Sequence, residues 1–378
     1  MEKFEACVIG AGVIGIAVAH ALSLSKDINP EKILLLESRA DFGQGISSRN
    51  SEVIHGGLYY RPGSLKAELC IRGKALLYEY LSANGISHAR CGKLVVAQRH
   101  QQDALLALRD NAVKSGLHDL QILNKHRLSL KESSLSAYLA VLSPSTGIVD
   151  SHHYMHSLLD KAQRRGIIFA ANSPVSAIKP CRDGFEVSIE TNQADSRDYT
   201  FTSKLLINSA GLSADKIADK IIGLKKDLIP KILMCKGDYF SYAGANPFSH
   251  LIYPIPEADT VGLGIHCTMD LNNQLRIGPD AAYIAEESYH VEPYKTERFA
   301  EAVQRYFPGL KPDLLQPSYS GIRPKLSGPG EPAGDFVFQT EDEHRLKGLV
   351  QLFGMESPGL TASPAIAQHI IHLFGLSP

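Results

Sequence analysis

Apolar residues near the N-terminus fall in blocks: Cys7-Val8-Ile9, then Gly10-Ala11-Gly12-Val13-Ile14-Gly15, an apolar stretch on to Leu24, and Ile33-Leu34-Leu35-Leu36 closed by Glu37. A short apolar run that ends in glycines predicts a buried strand and a tight turn, and the longer run after it predicts a helix. Together the blocks predict a β-α-β unit with an acid at the tip of its second strand. Leu65, Leu69, Leu76, Leu77 and Leu81 recur near helical spacing between Ser64 and Asn84-Gly85, which predicts an amphipathic helix. Residues 93 to 97 read as a strand, 102 to 116 as a helix and 143 to 147 as a turn. A helix from 154 to 165, a strand at 167 to 170, a hairpin around Arg182-Asp183-Gly184 and the strand Leu205-Leu206-Ile207 follow. Residues 228 to 280, rich in Tyr, Gly and Pro, carry β-like runs at 236 to 241, 251 to 255 and 261 to 268 and predict an antiparallel sheet. The tail predicts a helix from 295 to 306, strands at 336 to 339 and 348 to 353, and a terminal helix from 363 to 374.

The glycine turn is the first candidate for chemistry. Gly10 permits the turn, Gly12 lets backbone N–H groups approach a pyrophosphate, and Gly15 lets the helix pack against the strand. A pyrophosphate is favoured at the positive end of that helix. Glu37 is placed to accept hydrogen bonds from a ribose 2′-hydroxyl and would repel a 2′-phosphate, which argues against NADP. FAD and NAD both remain open from this motif.

Length and charge narrow the class. A chain of 378 residues exceeds the usual single domain, so two are expected. With 39 basic and 40 acidic residues and no long like-charged block, nothing recruits nucleic acid or anionic lipid electrostatically. The six cysteines are dispersed without a CxxC pair, which excludes a dithiol motif and a zinc knuckle. His152 and His156 share a helical face but lack a third ligand nearby, so no metal is expected. Gly262-Leu263-Gly264 opens like a second glycine fingerprint but continues to Cys267 without a third glycine; it reads as a strand, leaving no nicotinamide site. Met1 to Glu5 run straight into a strand, so no secretory signal is expected. The longest apolar stretch, interrupted by His20 and Ser23, is shorter than the roughly 20 residues of a membrane span. The expectation is a cytoplasmic protein without a transmembrane segment, peripheral contact with the inner membrane being compatible with it.

Two further segments suit contact with a ligand: the polar loop from Asp41 to Ser51 leading into His55-Gly56-Gly57, and the strand end Asn208-Ser209-Ala210-Gly211 opening a helix near Asp215. With the N-terminal motif, the block Ser47-Ser48-Arg49-Asn50-Ser51-Glu52-Val53-Ile54-His55-Gly56-Gly57, the run Pro62 to Ala67, Gly321-Ile322-Arg323-Pro324 and Glu356-Ser357-Pro358-Gly359-Leu360-Thr361, the chain resembles the FAD-dependent oxidoreductases of the D-amino-acid oxidase superfamily over essentially its whole length. Within it the chain is most similar to the L-2-hydroxyglutarate dehydrogenase or oxidase branch. It departs from that branch where Gly354-Met355-Glu356-Ser357-Pro358-Gly359 replaces an Asn-Ala-Pro-Ser-Pro loop.

The resemblance implies an α/β fold: a Rossmann-type FAD-binding domain built from residues 1–85, 143–227 and 319–378, and an antiparallel-sheet substrate domain from 86–142 and 228–318. It implies FAD contacts at Gly10, Gly12, Val13, Ile14, Gly15, Glu37, Ser38 and Arg39. Further contacts are implied at Gly45, Ser47, Ser48, Arg49, Asn50, Ser51, Val175, Ala210 and Gly211, with Gly321, Ser357, Gly359, Leu360 and Thr361 near the flavin. Arg323 is implied to bind a substrate carboxylate through its fixed fork.

Oxidation of a 2-hydroxy acid such as L-2-hydroxyglutarate removes a hydride from C2 and a proton from the hydroxyl, and the latter needs a base at neutral pH. His55, slightly ahead of His266, is the candidate; Lys236, Tyr253 and, more weakly, Tyr60 are second contacts for a distal carboxylate. Electrons would pass to a quinone or to oxygen. An amino-acid oxidase or dehydrogenase is the alternative enzyme, and a non-catalytic flavin-binding module the alternative outside catalysis.

Overall fold

The computed structural model describes residues 1–190, 199–256 and 264–377. Lys3–Ile9 lies inside a parallel array, between Ile33–Leu36 on one side and Tyr199–Asn208 on the other. Ala6, Cys7, Val8 and Ile9 are all buried, as a strand covered on both faces requires, and this explains the unbroken apolar run. Among the described residues this sheet has eight strands. Ile168–Ala170 extends it beyond Ile33–Leu36, and the hairpin Val175–Cys181/Gly184–Ile189 adds to the start of Tyr199–Asn208. Leu349–Phe353 pairs in parallel with the end of the same strand, and Val337–Gln339 closes the edge.

Helices Val13–Leu24, Leu65–Ala83, Ser151–Arg164 and Gly359–Leu373 form one layer on this sheet around Ile16, Leu22, Leu69, Leu77, Ile366 and Ile370. Leu65–Ala83 and Gly359–Leu373 cross so closely that a Cβ at Gly73 would stand 2.5 Å from the Thr361 carbonyl oxygen. The terminal helix starts at Gly359, ahead of the expected 363, because a Gly-Leu-Thr segment that reads as loop forms its first turn. Pro364 lies within it, and the Ser363 hydroxyl donates 2.9 Å to the Leu360 carbonyl that proline's missing N–H leaves unserved. The opposite face of the sheet is covered by Ala214–Asp219 and the segments around it, on Phe4, Phe185, Phe201 and Ile217.

A second sheet, nine-stranded among the described residues, gathers Lys93–Ala97, Gln121–Asn124, Leu139–Ser143, Leu233–Tyr242, Leu251–Pro254, Cys267–Met269, Leu275–Ile277, Ala282–Ile284 and Leu315–Lys325. Its pairs are antiparallel, as expected, except that Leu251–Pro254 runs parallel to Lys93–Ala97. The long chain between them allows that crossover. Leu315–Lys325 pairs along its length with Leu233–Tyr242, and position 319, the expected start of an FAD-domain segment, falls inside it. Pro317, Gly321 and Pro324 hide this strand in the sequence.

The expected strand at 261 to 268 is corrected: Gly264 adopts φ +74, and pairing begins only at Cys267. His266 therefore precedes the strand, and Val261, Gly262 and Leu263 lie outside the described residues. Gln121–Asn124 and Lys125–Lys131, too polar to announce themselves, were not expected. No helix among the described residues is long and apolar enough to cross a membrane.

Candidate active site

A continuous cavity of about 1870 Å³ runs from the Gly10 turn to the Gly321–Arg323 strand segment, with walls from both sheets. Typical small-ligand pockets hold roughly 300–1,000 Å³, so this one suits an extended cofactor together with a substrate. At one end Gly10 has φ +101, and a Cβ there would stand 2.8 Å from the Ser209 carbonyl oxygen. Gly15 lies beneath the turn, where a Cβ would fall 1.9 Å from the Gly10 oxygen, so it faces the strand and not the cavity. The Glu37 carboxylate accepts from the Ala11 N–H at 3.0 Å, the Arg39 N–H at 3.0 Å and the Ser38 hydroxyl at 3.2 Å. These bonds fix it beside the turn and on the cavity wall.

Gly12, Val13, Ile14, Ser38, Arg39, Gly45, Ser47, Arg49, Asn50, Ser51, Val175, Ala210 and Gly211 line the same tract. Ser47 Oγ accepts the Val13 N–H at 2.9 Å, and a Cβ on Gly12 would press to 3.0 Å from it, so Gly12 leaves the helix end open. Ser48 does not line the cavity; its hydroxyl donates to Gly45. The loop is clamped onto the second sheet: the Tyr319 hydroxyl donates 2.8 Å to the Asn50 carbonyl, and Ser51 Oγ lies 2.8 Å from the Tyr239 hydroxyl. Tyr239 and Tyr319 stack at 4.4 Å. Gly321 makes the clamp possible, since a Cβ there would fall 2.1 Å from the Arg49 carbonyl oxygen. The glycine cradle, fixed acid and extended volume fit FAD.

At the far end the structure gathers His55, Tyr60, Tyr253, His266, Arg323, Ser357, Gly359 and Leu360. Cys267 pairs with Ile252, so the residue before it faces Tyr253, and the His266 ring stacks on Tyr253 at 3.7 Å. His266 Nδ1 lies 2.9 Å from the Gly264 carbonyl, which can only accept, so Nδ1 carries the hydrogen and Nε2 the lone pair in the neutral ring. Burial, opposed by that hydrogen bond and reinforced by the charges of Lys93 and Arg323, pushes His266 down to about 3. His55 is held well below the usual histidine range by burial, then by Lys93 and His266. Its Nε2 lies 3.1 Å from Ser357 Oγ, and its backbone N–H donates 2.9 Å to Thr361 Oγ1. Thr361 is therefore a buried support rather than a cavity residue.

Arg323 forms no ion pair among the described residues; its Nη1 donates at 3.4 Å to the Asp280 carbonyl. Lys236 is a correction. Strand alternation puts Gly237 and Tyr239 on the cavity wall and turns Lys236 away, where it binds the His290 carbonyl and pairs with Asp238 at 3.3 Å. Lys236 is thus occupied and does not face a substrate.

Sequence reasoning missed two groups. Lys66 and Lys325 bracket Glu356 at 2.9 and 3.2 Å, nearly buried on the cavity wall. Burial opposes ionisation of Glu356, but the two ammonium groups outweigh it and hold the carboxyl below its usual range. The signal was available: Lys325 follows Arg323 by two positions on one strand face. The other is Lys93, a lysine opening the buried run Lys93–Ala97.

A glycine turn on a helix end, a fixed acid on the next strand and a second sheet closing over a pair of histidines, one of them buried, define a dinucleotide-dependent oxidoreductase. The family profile described as "DAO: FAD dependent oxidoreductase" matches residues 5–373, and the chain belongs to that family. Its cofactor is FAD. The chain is 39% identical to "L-2-hydroxyglutarate dehydrogenase, mitochondrial" of Arabidopsis thaliana, covering 99% of this chain and 84% of that protein. It is 28% identical to "L-2-hydroxyglutarate dehydrogenase" of Escherichia coli K12, over 97% and 92%. In fold it matches the FAD-bound L-alpha-glycerophosphate oxidase of Mycoplasma pneumoniae with TM-score 0.87 at 24% identity, over 100% and 96% of the chains.

Proposed function

We propose that the protein oxidises L-2-hydroxyglutarate to 2-oxoglutarate. Arg323 carries this reading: a guanidinium on the cavity wall without a carboxylate partner among the described residues can take the C1 carboxylate in a two-point fork. Bound FAD supplies the acceptor for the hydride that leaves C2. His266 takes the hydroxyl proton on Nε2, the ring nitrogen that its bond to Gly264 leaves free. This hydrogen-bond pattern favours His266 over His55, which in this reading orients the substrate with Ser357 and Tyr60. Lys66 and Lys325, which share Glu356, stand on the same cavity wall as Arg323 and suit the second carboxylate of a dicarboxylate. The entering negative charges also favour protonation of His266 at the moment it must accept a proton.

Electrons then leave to a quinone or to oxygen. A quinone acceptor would bring a cytoplasmic protein to the face of the inner membrane. The test is an anaerobic titration of the FAD-loaded protein with L- and D-2-hydroxyglutarate, L-lactate, glycine and L-glutamate, read by flavin absorbance. L-2-hydroxyglutarate should bleach the flavin. Bleaching by an amino acid instead contradicts hydroxy-acid oxidation, and bleaching by none of the acids supports a non-catalytic flavin protein.

A further inference from the structure

Lys93 is wholly buried, and its Nζ has no hydrogen-bond partner among the described residues. Such a group is rare in an apolar interior because an ammonium gives up its hydration shell there and needs compensation. Compensation comes from two aromatic faces: Nζ lies 4.6 Å from the Tyr59 ring centroid and 4.5 Å from that of Tyr253. The rings are near parallel, 29° apart with centroids separated by 6.4 Å, and the lysine head lies against the side of this pair, almost equidistant from the two. Tyr253 also carries the His266 ring, stacked at 3.7 Å. The strands dictate this stack: Lys93 pairs with Leu251, which puts Tyr253 on the same face, and Cys267 opposite Ile252 puts His266 beside it.

We propose that Lys93 is a positioning residue for the proton transfer: held against Tyr59 and Tyr253, its buried positive charge disfavours a second one on His266 or His55 and so keeps both imidazoles neutral, with His266 free to accept the substrate's hydroxyl proton. The inference rests on the reading of the site given above. The ionisable groups around the cluster come from several elements. They are His55, Tyr59 and Tyr60 after strand Val53–Ile54, Cys70 from helix Leu65–Ala83, Cys91 ahead of Lys93–Ala97, Tyr253, Tyr239 and Arg323 from the second sheet, and Glu356 beyond Tyr60. Arg323 acts on His266 in the same sense as Lys93. Burial pushes Lys93 itself down to about 7, so the ammonium is present on the acid side of neutrality, where imidazoles would otherwise gain protons.

Lys93→Met keeps the length and apolar contacts of the side chain and removes its charge; Lys93→Arg keeps the charge. In the FAD-loaded enzyme two readouts are compared: the acid limb of kcat/KM for flavin reduction, and the protonation midpoints of the buried imidazoles by NMR of histidine labelled at Cε1. With Lys93→Met both should rise by at least about half a pH unit, while Lys93→Arg should stay with the parent enzyme. A smaller rise of the imidazole midpoints in Lys93→Met overturns the proposal. The NMR readout does not depend on the substrate, so failure of the parent enzyme to be reduced by L-2-hydroxyglutarate counts against the functional reading and leaves the judgement on Lys93 to the titration.

Discussion

His55 Nε2 and Ser357 Oγ stand 3.1 Å apart although 302 positions separate them in the chain. The contact joins the loop after Val53–Ile54 to the loop that opens the terminal helix, and Thr361 Oγ1 braces the same histidine through its backbone. Ser357→Ala should leave FAD content unchanged and lower kcat about three- to tenfold, as expected for one lost hydrogen bond of about 1 kcal/mol. Steady-state kinetics on the FAD-loaded variant checks this.

His266→Gln should slow flavin reduction by roughly 10² to 10⁴, the usual contribution of a general base. Rapid mixing under anaerobic conditions measures it directly. The pH dependence of stability offers a second check. His266 titrates at about 3 in the fold against an ordinary 6.5, so the unfolded chain binds the proton first. The stability contributed by the neutral buried ring is present above about 6.5 and is lost as pH falls toward 3. Unfolding temperature should therefore drop more steeply over that window in the parent protein than in His266→Gln.

Arg323→Ala should weaken binding of the hydroxy acid by about 2–5 kcal/mol, with Lys at the position restoring only part because it lacks the fork. Equilibrium binding of 2-oxoglutarate to the oxidised protein, followed by perturbation of the flavin spectrum, gives the number without turnover.

Glu356→Gln leaves Lys66 and Lys325 confronting each other on the cavity wall without the shared carboxylate. Breaking a buried ion cluster by removing one partner costs about 3–5 kcal/mol, so denaturant midpoints should fall clearly. The double variant Glu356→Gln/Lys66→Met should recover part of the loss.

Much of the frame was legible because its signals are local. The Gly10–Gly15 turn, Glu37 at a strand tip, Lys93–Ala97 and the helix Leu65–Ala83 each follow from apolar periodicity and glycine placement. Leu315–Lys325 was not, because Pro317, Gly321 and Pro324 look like breaks when their pairing partner Leu233–Tyr242 is unknown. Side-chain direction was the other blind spot. Lys236 looked like a substrate contact until strand alternation set it beside Asp238, away from the cavity. Lys93, Lys66 and Glu356 acquire meaning only through neighbours distant in sequence, which a single chain does not display.

The most direct test is to mix the FAD-loaded protein anaerobically with L-2-hydroxyglutarate, follow the flavin spectrum and assay the product. Full bleaching, with one 2-oxoglutarate formed for each flavin reduced, is the outcome the site geometry predicts. A flavin that stays oxidised with this acid, yet is bleached by dithionite or by an amino acid, would contradict it.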